Sequence, residues 1–129
     1  MAPIVTSGPP SGVCPHAACE SLLRVDVGQE FIDGVVYEIE VCLEEESWRA
    51  ETIFEDGVSN SRSQLAVGRD GGMTVLLGEA ERSPVSDVTV EVLADGVALL
   101  RHEGTVAFDA VRPNGRFCAP VCYWASVVL

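Results

Sequence analysis

The sequence predicts an all-β fold of antiparallel strands, and three observations support this prediction. Apolar and polar residues alternate with a period of two from residue 22 onward, which is typical of strands with one buried and one solvated face. Asp-Gly and Asn-Gly pairs separate the apolar runs and supply the positive φ angles that tight hairpin turns need. No stretch of about eleven residues or more has the helical period. Because a sheet with one polar face must bury the other, we expect two sheets packed together.

Each predicted strand is defined by the residues that should face the core. In chain order these are Leu23, Val25 and Val27; Tyr37, Ile39, Val41 and Leu43; Trp48, Ala50, Thr52 and Phe54; Val88, Val90 and Val92; and Val106, Phe108 and Ala110. A last strand is predicted over residues 122–129. The turns are predicted at Asp33-Gly34, Asp56-Gly57, Asp70-Gly71, Asp95-Gly96 and Asn114-Gly115. Residues 58–64 are predicted to form the longest loop and residues 79–84 the next.

This spacing of strands and turns predicts an immunoglobulin-like or fibronectin-like β-sandwich of eight or nine antiparallel strands, with a small barrel as the alternative. A chain of 129 residues is long enough for one ordinary core and too short for two. Residues 1–13 are rich in Pro, Ser and Gly, and we predict a flexible N-terminal lead there. Residues 14–129 are predicted to form the single sandwich domain. No stretch approaches the roughly 18 consecutive apolar residues of a membrane helix, so no membrane span is predicted.

The charge balance disfavours some classes of partner. The chain has eight arginines, no lysine and 20 carboxylates, and its formal net charge is −12. Such a surface repels phosphate backbones, so nucleic acid is not a predicted partner. A protein or carbohydrate ligand and self-association both stay open. The simplest interpretation of the acidity is that it keeps a β-rich protein soluble.

Cysteines are frequent for a chain of this length, and all five are disulfide candidates: Cys14, Cys19, Cys42, Cys118 and Cys122. This density indicates an oxidising compartment, although residues 1–10 show no signal peptide. One alternative is free buried thiols. Another is a zinc site made from four thiols and His16, which the spacing within the cysteine pairs disfavours. No metal or cofactor is predicted, and the sequence leaves the disulfide pairing open.

Cys42 adds one constraint because the alternation puts it on the same face as Glu38 and Glu40, the face that is predicted to be solvated. A cysteine at such a position is either covered or reactive. One hypothesis is that the N-terminal segment lies across this face and that Cys14 or Cys19 forms a disulfide with Cys42. Such a bond would stabilise the fold by about 3 kcal/mol.

No catalytic residues are predicted. The sequence contains no P-loop, dinucleotide-binding, zinc-protease or serine-hydrolase motif, and His16 and His102 are its only histidines. The acidic run of Glu44, Glu45 and Glu46 lies where a hairpin loop is expected. It lacks the alternating spacing of a calcium loop, so we interpret it as a solvated turn.

Trp124 is the predicted contact residue for a partner. If Tyr123, Ala125 and Val127 point inward, then Trp124 points outward from the last strand. An outward tryptophan on a sheet face stacks on a sugar or anchors a protein partner, and the alternative is that a loop or a disulfide covers it. Trp48 and Phe54 are expected in the core.

Residues 113–125 form the pattern P-N-G-x-x-C-x-P-x-C-x-x-A. This pattern resembles a signature of secreted or cell-surface immunoglobulin-like β-sandwich proteins of high-GC bacteria, a group with no established catalytic residues. Residues 85–92 look like strands of the same immunoglobulin-like or carboxypeptidase-regulatory-like class. The resemblance implies export and disulfides.

Together these observations predict a non-catalytic, secreted or cell-surface module that binds a partner or supports a structure and is stabilised by disulfides. The predicted location is extracellular. An alternative from another class is a phage or assembly-associated virion protein, which should expose edge strands or self-associate. A third is a small hydrolase or metal-dependent enzyme.

Overall fold

The computed structural model describes residues 14–15, 17–56, 58–78 and 83–129, and residues 58–63 by their backbone alone. The predicted lead over residues 1–13 lies outside this range, as does most of the predicted loop over residues 79–84. Ten strands are present in the described residues: β1 (Ser21–Asp26), β2 (Val36–Leu43), β3 (Glu46–Glu55), β4 (Val58–Ser63), β5 (Ala66–Val67), β6 (Gly72–Gly78), β7 (Val85–Ala94), β8 (Val97–Ala107), β9 (Asp109–Val111) and β10 (Cys122–Val128).

The strands form two five-stranded sheets. The first sheet has the order β5-β6-β1-β10-β9, and the second has the order β4-β3-β2-β7-β8. Neighbouring strands are antiparallel except β1 and β10, which are parallel. The prediction of an all-β fold is therefore confirmed, and the predicted antiparallel arrangement holds for every pair of neighbouring strands except β1 and β10. The barrel alternative is wrong because the sheets remain separate. The described residues contain no helix that could cross a membrane.

The core lies between the two sheets and includes most of the residues that the alternation predicted, together with Leu65 and with Met73, Val75 and Leu77 of β6, which it did not predict. Leu23, Val41 and Val90 are fully buried, and each such side chain contributes about 1.5–3 kcal/mol through the area that it removes from water. Trp48 is half-buried and packs against this core. Ala110 is exposed, contrary to expectation, because it lies on β9 at the edge of the first sheet.

An aromatic group closes the core beside the segment that joins β1 to β2. The ring of Phe31 lies 4.5 Å from the ring of Tyr37 and 5.9 Å from that of Phe54, measured between centroids. The Tyr37 hydroxyl accepts a hydrogen bond from the backbone N–H of Ile32 at 2.7 Å. Phe31 was not among the predicted core residues because it lies outside any periodic run.

Tight turns join the neighbours of the second sheet that follow one another in the chain. Asp95 and Gly96 connect β7 to β8 with φ angles of 48° and 80°, as a hairpin turn with two positive φ angles requires. The Asp95 carboxylate accepts a hydrogen bond from the N–H of Val36 at 2.9 Å, which attaches this turn to the start of β2. The turn between β2 and β3 is formed by Glu44 and Glu45, where the acidic run was predicted to lie.

Two predictions about the number and position of strands are wrong. Residues 58–63 were expected in a loop, but their backbone pairs with β3 as strand β4, because cross-strand pairing overrides the turn preference of a serine-rich segment. The strand count is ten rather than eight or nine. Strands β5 and β9 have two and three residues, too few to leave a periodic pattern.

Strand β8 continues almost directly into β9 through Phe108, which is buried. Residues on the β8 side of Phe108 pair with β7 in the second sheet, whereas those on the β9 side pair with β10 in the first sheet. The chain therefore crosses between the sheets at this corner, and it links the edge of the second sheet to the strand that carries Trp124.

Candidate functional site

Two disulfides join the segment before β1 to the segment that leads into β10. Cys14 is bonded to Cys118 and Cys19 to Cys122, with Cα atoms 5.6 and 6.1 Å apart. Cys42 is free. The hypothesis that Cys14 or Cys19 bonds to Cys42 is therefore wrong.

The parallel pairing of β1 and β10 explains this connectivity. Leu22 lies opposite Trp124 in the register, so the residues that precede β1 and those that precede β10 leave the first sheet at the same end. The disulfides continue this register, with sequence separations of 104 and 103. Cys42 is in the second sheet, on its outer face, and cannot be reached by either N-terminal cysteine in this arrangement.

Asn114 reinforces the disulfide-bonded end. Its side chain is buried; the amide oxygen accepts a hydrogen bond from Ala17 N at 3.0 Å. The amide nitrogen donates to Ala17 O at 2.7 Å and to Ala119 O at 2.8 Å. The sequence pattern identified Asn114 as a turn residue only, since its partner Ala17 is remote in sequence. The segment before β1 is thus attached by side-chain hydrogen bonds as well as by sulfur bridges.

Trp124 lies on the outer face of the first sheet, as predicted, and is 44% exposed. Its indole N–H donates to the carbonyl oxygen of Glu20 at 2.8 Å, which satisfies the polar end of the ring and fixes its orientation. Ala125, the next residue, is buried. Because the ring is held by the segment before β1, its exposed face is available without rearrangement.

Two further apolar side chains continue from Trp124 across the sheet. Leu22 on β1 lies opposite Trp124, and Leu76 on β6 lies opposite Leu22. Leu76 is 55% exposed and Leu22 is half-buried. Residues opposite one another in a sheet point to the same face, so we name Leu76, Leu22 and Trp124 the apolar row.

Polar groups border the apolar row on the same face. Arg24 lies opposite Ser126 in the β1–β10 register, two positions along from Leu22 and Trp124, and both are exposed. Arg24 and Ser126 also line a depression of about 210 Å³, together with Asp26, Asp70 and other residues. An apolar centre with a polar border is the usual composition of a protein contact surface.

The outer face of the second sheet is acidic instead. A shallow groove of about 530 Å³ crosses β3, β2 and β7, and its lining includes Glu38, Glu40, Glu51 and Glu91. Arg49 forms an ion pair with Glu40 at 2.6 Å, and Arg101 forms one with Glu91 at 3.1 Å. These pairs are exposed and each contributes little to stability.

Cys42 lies at one end of this acidic face and is half-buried. Burial raises the pKa of its thiol, and the negative charge of Glu40 together with a hydrogen bond to that carboxylate raises the pKa further. A raised pKa disfavours the thiolate, which is the reactive form. Cys42 is thus neither bridged nor activated.

The described residues do not bring the candidate metal or catalytic groups together. Cys14, Cys19, Cys118 and Cys122 have their sulfur atoms in disulfides, which removes the thiolates that a zinc site would need. No group of three or more His, Cys, Asp or Glu side chains in the described part of the chain could hold a metal ion. His102 lies half-buried on β8, opposite Val90.

Comparisons with protein-family models, with curated proteins and with solved structures find no match to this chain. The resemblance of residues 113–125 to secreted bacterial β-sandwich proteins stays a prediction. The function is therefore argued from the residues of this chain and from their geometry.

Proposed function

We propose that the chain is a non-catalytic, disulfide-stabilised module that acts outside the cytoplasm and binds a partner through the apolar row. In this proposal the two sheets form an immunoglobulin-like sandwich, and residues 14–129 are one domain. The observation that carries it is the pair of disulfides between the same two segments. Structural disulfides form and persist in secreted and surface proteins and are rare in the cytosol.

The disulfides are tested by the mass of the denatured protein after alkylation, with and without prior reduction. Protein recovered from an oxidising compartment should carry one alkyl group, at Cys42, without reduction and five after it. The same chain made in a reducing cytosol is the matched control and should carry five in both cases. Five alkyl groups on the exported protein without reduction would contradict the proposal.

The apolar row supports the binding part of the proposal. Tryptophan is among the residue types most enriched at interface hot spots, and the two leucines and the polar groups beside Trp124 give the surface the apolar centre and polar border of a protein contact. Three apolar side chains in line match an apolar protein surface better than a sugar, which would use the indole alone. A protein partner is therefore the first candidate and a carbohydrate the second.

A photo-cross-linking residue at position 124 tests this surface, with position 32 in the segment between β1 and β2 as the control because Ile32 is exposed as well. The exported protein should form a discrete cross-linked product from position 124 and none from position 32. A glycan array with the unmodified chain and with Trp124→Ala tests the carbohydrate alternative. Equal cross-linking from both positions, or binding that Trp124→Ala leaves unchanged, would remove the apolar row as the contact.

A virion or assembly component is the second candidate function. Strand β8 supports it, because this strand forms a long exposed edge of the second sheet. A protein that assembles through such an edge needs neither an enzymatic site nor a small-molecule pocket.

A further inference from the structure

Strand β8 is the longest edge strand in the described part of the chain. The four edges of the two sheets are β4, β5, β8 and β9. Strands β4, β5 and β9 have six, two and three residues, whereas β8 has eleven. Proteins protect their edges with short strands, with Pro or charged side chains (especially Lys), or with bulges. Strand β8 contains neither Pro nor Lys; its charged residues are Arg101 and Glu103, and its one irregularity lies near its start, opposite Val92 and Leu93.

The outward side chains of β8 are exposed along the strand, whereas on its inner face Leu100 and His102 are half-buried and Val106 is buried. Val97 is 70% exposed and Leu99 is 42% exposed, so apolar area accompanies the open edge. Alternate residues of an edge strand direct their backbone N–H and C=O groups away from the sheet. These groups form the template on which another extended strand adds to a sheet.

We infer that β8 pairs in antiparallel fashion with β8 of a second copy of the chain, around a two-fold axis at His102. The second sheets of the two copies then form one continuous sheet. This inference goes beyond the binding function proposed for the apolar row of the first sheet, and it makes the assembly candidate specific by naming the strand pairing and its register.

Symmetry restricts the register of such a pair. Residues directly opposite one another must point to the same face of the sheet. Because alternate residues point to opposite faces, two opposing residues of the same strand must both have even numbers or both have odd numbers. One residue therefore lies opposite its own copy, and the two-fold axis passes between these two equivalent residues. Strand β8 runs from Val97 to Ala107, so its three middle residues are the candidates for that position: Arg101, His102 and Glu103.

Charge complementarity selects among these three registers. An axis at Arg101 places the two copies of Arg101 opposite each other, and an axis at Glu103 does the same for the two copies of Glu103. Like charges directly opposite one another destabilise a sheet. An axis at His102 places Arg101 opposite Glu103 of the partner subunit, and this pair occurs twice by symmetry. Within one chain Arg101 already contacts Glu103 at 2.6 Å, so both side chains lie on the same face and are positioned for the exchange.

The net charge sets the conditions of the test. Each copy has a formal net charge of −12, and this long-range repulsion opposes association at low ionic strength. At about 0.3 M salt the Debye length falls to roughly 5–6 Å, which screens the repulsion between whole molecules more than the contacts across the strands. The full oxidised chain is therefore studied at that salt concentration.

The experiment uses two charge reversals, Arg101→Glu and Glu103→Arg, and measures mass by sedimentation equilibrium between about 10 and 500 µM, which brackets the range of weak dimers. The unmodified chain should form a dimer that increases with concentration. Each variant alone should dissociate at least about tenfold more readily, because both cross-strand pairs become like-charged. The equimolar mixture should recover the dimer as a heterodimer, because positions 101 and 103 are both acidic in one variant and both basic in the other.

Each chain in the mixture still carries its own substitution, so any damage that the substitution does to the folded monomer is still present. Recovery of the dimer in the mixture would therefore show that the substitutions act at the interface between the copies. Thermal unfolding of both variants provides the folding control, and Arg49→Glu, on β3 of the same sheet, is the matched reversal that should leave the dimer intact. An unmodified chain that stays monomeric over the whole range would overturn the inference. A mixture that dissociates like the separate variants would overturn it as well.

Discussion

Every strand of the second sheet is joined through a short turn to a hydrogen-bonded neighbour, whereas the central strand of the first sheet has no such neighbour. In the second sheet β2, β3 and β4 follow one another, and so do β7 and β8. In the first sheet β1 pairs with β6 and β10, and both lie far along the chain. A parallel pair such as β1 and β10 cannot be closed by a short turn at all.

The difference shows where covalent bridges are needed. A hairpin forms its hydrogen bonds after closing a loop of a few residues, whereas β1 and β10 meet only when a loop of about 100 residues is closed. Both disulfides lie at the start of this parallel pair, and none lies in the second sheet, where Cys42 is free. The disulfides therefore stabilise the fold by restricting, in the unfolded chain, the two segments that must meet to form the first sheet.

Removal of the disulfides should have the largest effect, and the effect should be far from additive. Either bond alone closes a loop of about 100 residues, which is worth about 4.7 kcal/mol. Once one bond is present, the second closes only a ring of roughly ten residues, worth about 2.7 kcal/mol. Replacement of both cysteines of either bond by alanine should thus cost about 2.7 kcal/mol, and replacement of all four about 7 kcal/mol.

Urea unfolding of the three variants measures these costs. Cys42→Ala, which removes no bridge, is the control and should change the free energy of unfolding by much less. Equal steps for the first and second disulfide would contradict the idea that the bonds act through the unfolded chain.

Truncation of a buried leucine should have the next largest effect on the free energy of unfolding, and this effect should be the same in both sheets. Leu23 on β1 and Leu43 on β2 are 0% and 1% exposed, so Leu23→Ala and Leu43→Ala each remove a comparable amount of buried area. Each should lower the free energy of unfolding by about 2–5 kcal/mol. Denaturant unfolding of the oxidised variants provides the measurement. A much smaller loss for Leu23→Ala would mean that the disulfides, and not packing, hold β1 in the native sheet.

A smaller effect should come from the turn between β7 and β8. Gly96 has a φ of 80°, where a Cβ atom costs about 1–2 kcal/mol. Gly96→Ala should therefore destabilise the chain by about that amount, measured by thermal unfolding. Asp95→Asn is the control, because asparagine tolerates the same backbone region and keeps the acceptor for Val36 N. If Gly96→Ala and Asp95→Asn lower the free energy of unfolding by the same amount, the positive φ angle at Gly96 does not determine the stability of this hairpin turn.

The smallest effect should be on the reactivity of Cys42. Burial and Glu40 raise the pKa of this thiol, so at pH 8 it should alkylate more slowly than cysteine in a peptide, and its rate should keep rising at higher pH. Glu40→Gln removes the raising effect of the carboxylate and should speed the reaction roughly two- to fivefold. Glu30→Gln, at an exposed position outside the second sheet, should leave the rate unchanged. A rate for Cys42 equal to that of the peptide would refute the raised pKa.

The sequence could predict what depends on neighbouring residues. Alternation identified the buried faces around Val41 and Val90 and the outward position of Trp124, because side-chain direction in a strand follows from local geometry. It could not give the pairing of β1 with β10, and without that pairing the partners of Cys14 and Cys19 were open. The hydrogen bonds between Asn114 and Ala17 were missed for the same reason, because they depend on the pairing of segments that are far apart in the chain.

The Trp124 surface shows the same limit. The outward direction of the indole was predictable, but its neighbours Leu22 and Leu76 come from two other strands whose register the sequence did not specify. The hydrogen bond from the indole to Glu20 also joins residues far apart in the chain. A contact surface built across strands is visible only once the sheet order is known.

The disulfide between Cys14 and Cys118 also sets how the molecule responds to a pulling force. Tension that enters before Cys14 and leaves at Leu129 passes through the sulfur atoms, so the chain between the two bridged cysteines forms a closed loop that the force does not extend. Only the residues after Cys118 remain in the path, and their full extension amounts to roughly 40 Å. Strand β10 then lies in the path of the force, whereas its partner β1 lies within the bridged loop. A module of this kind can be stretched between two attachment points while nearly all of its core stays folded.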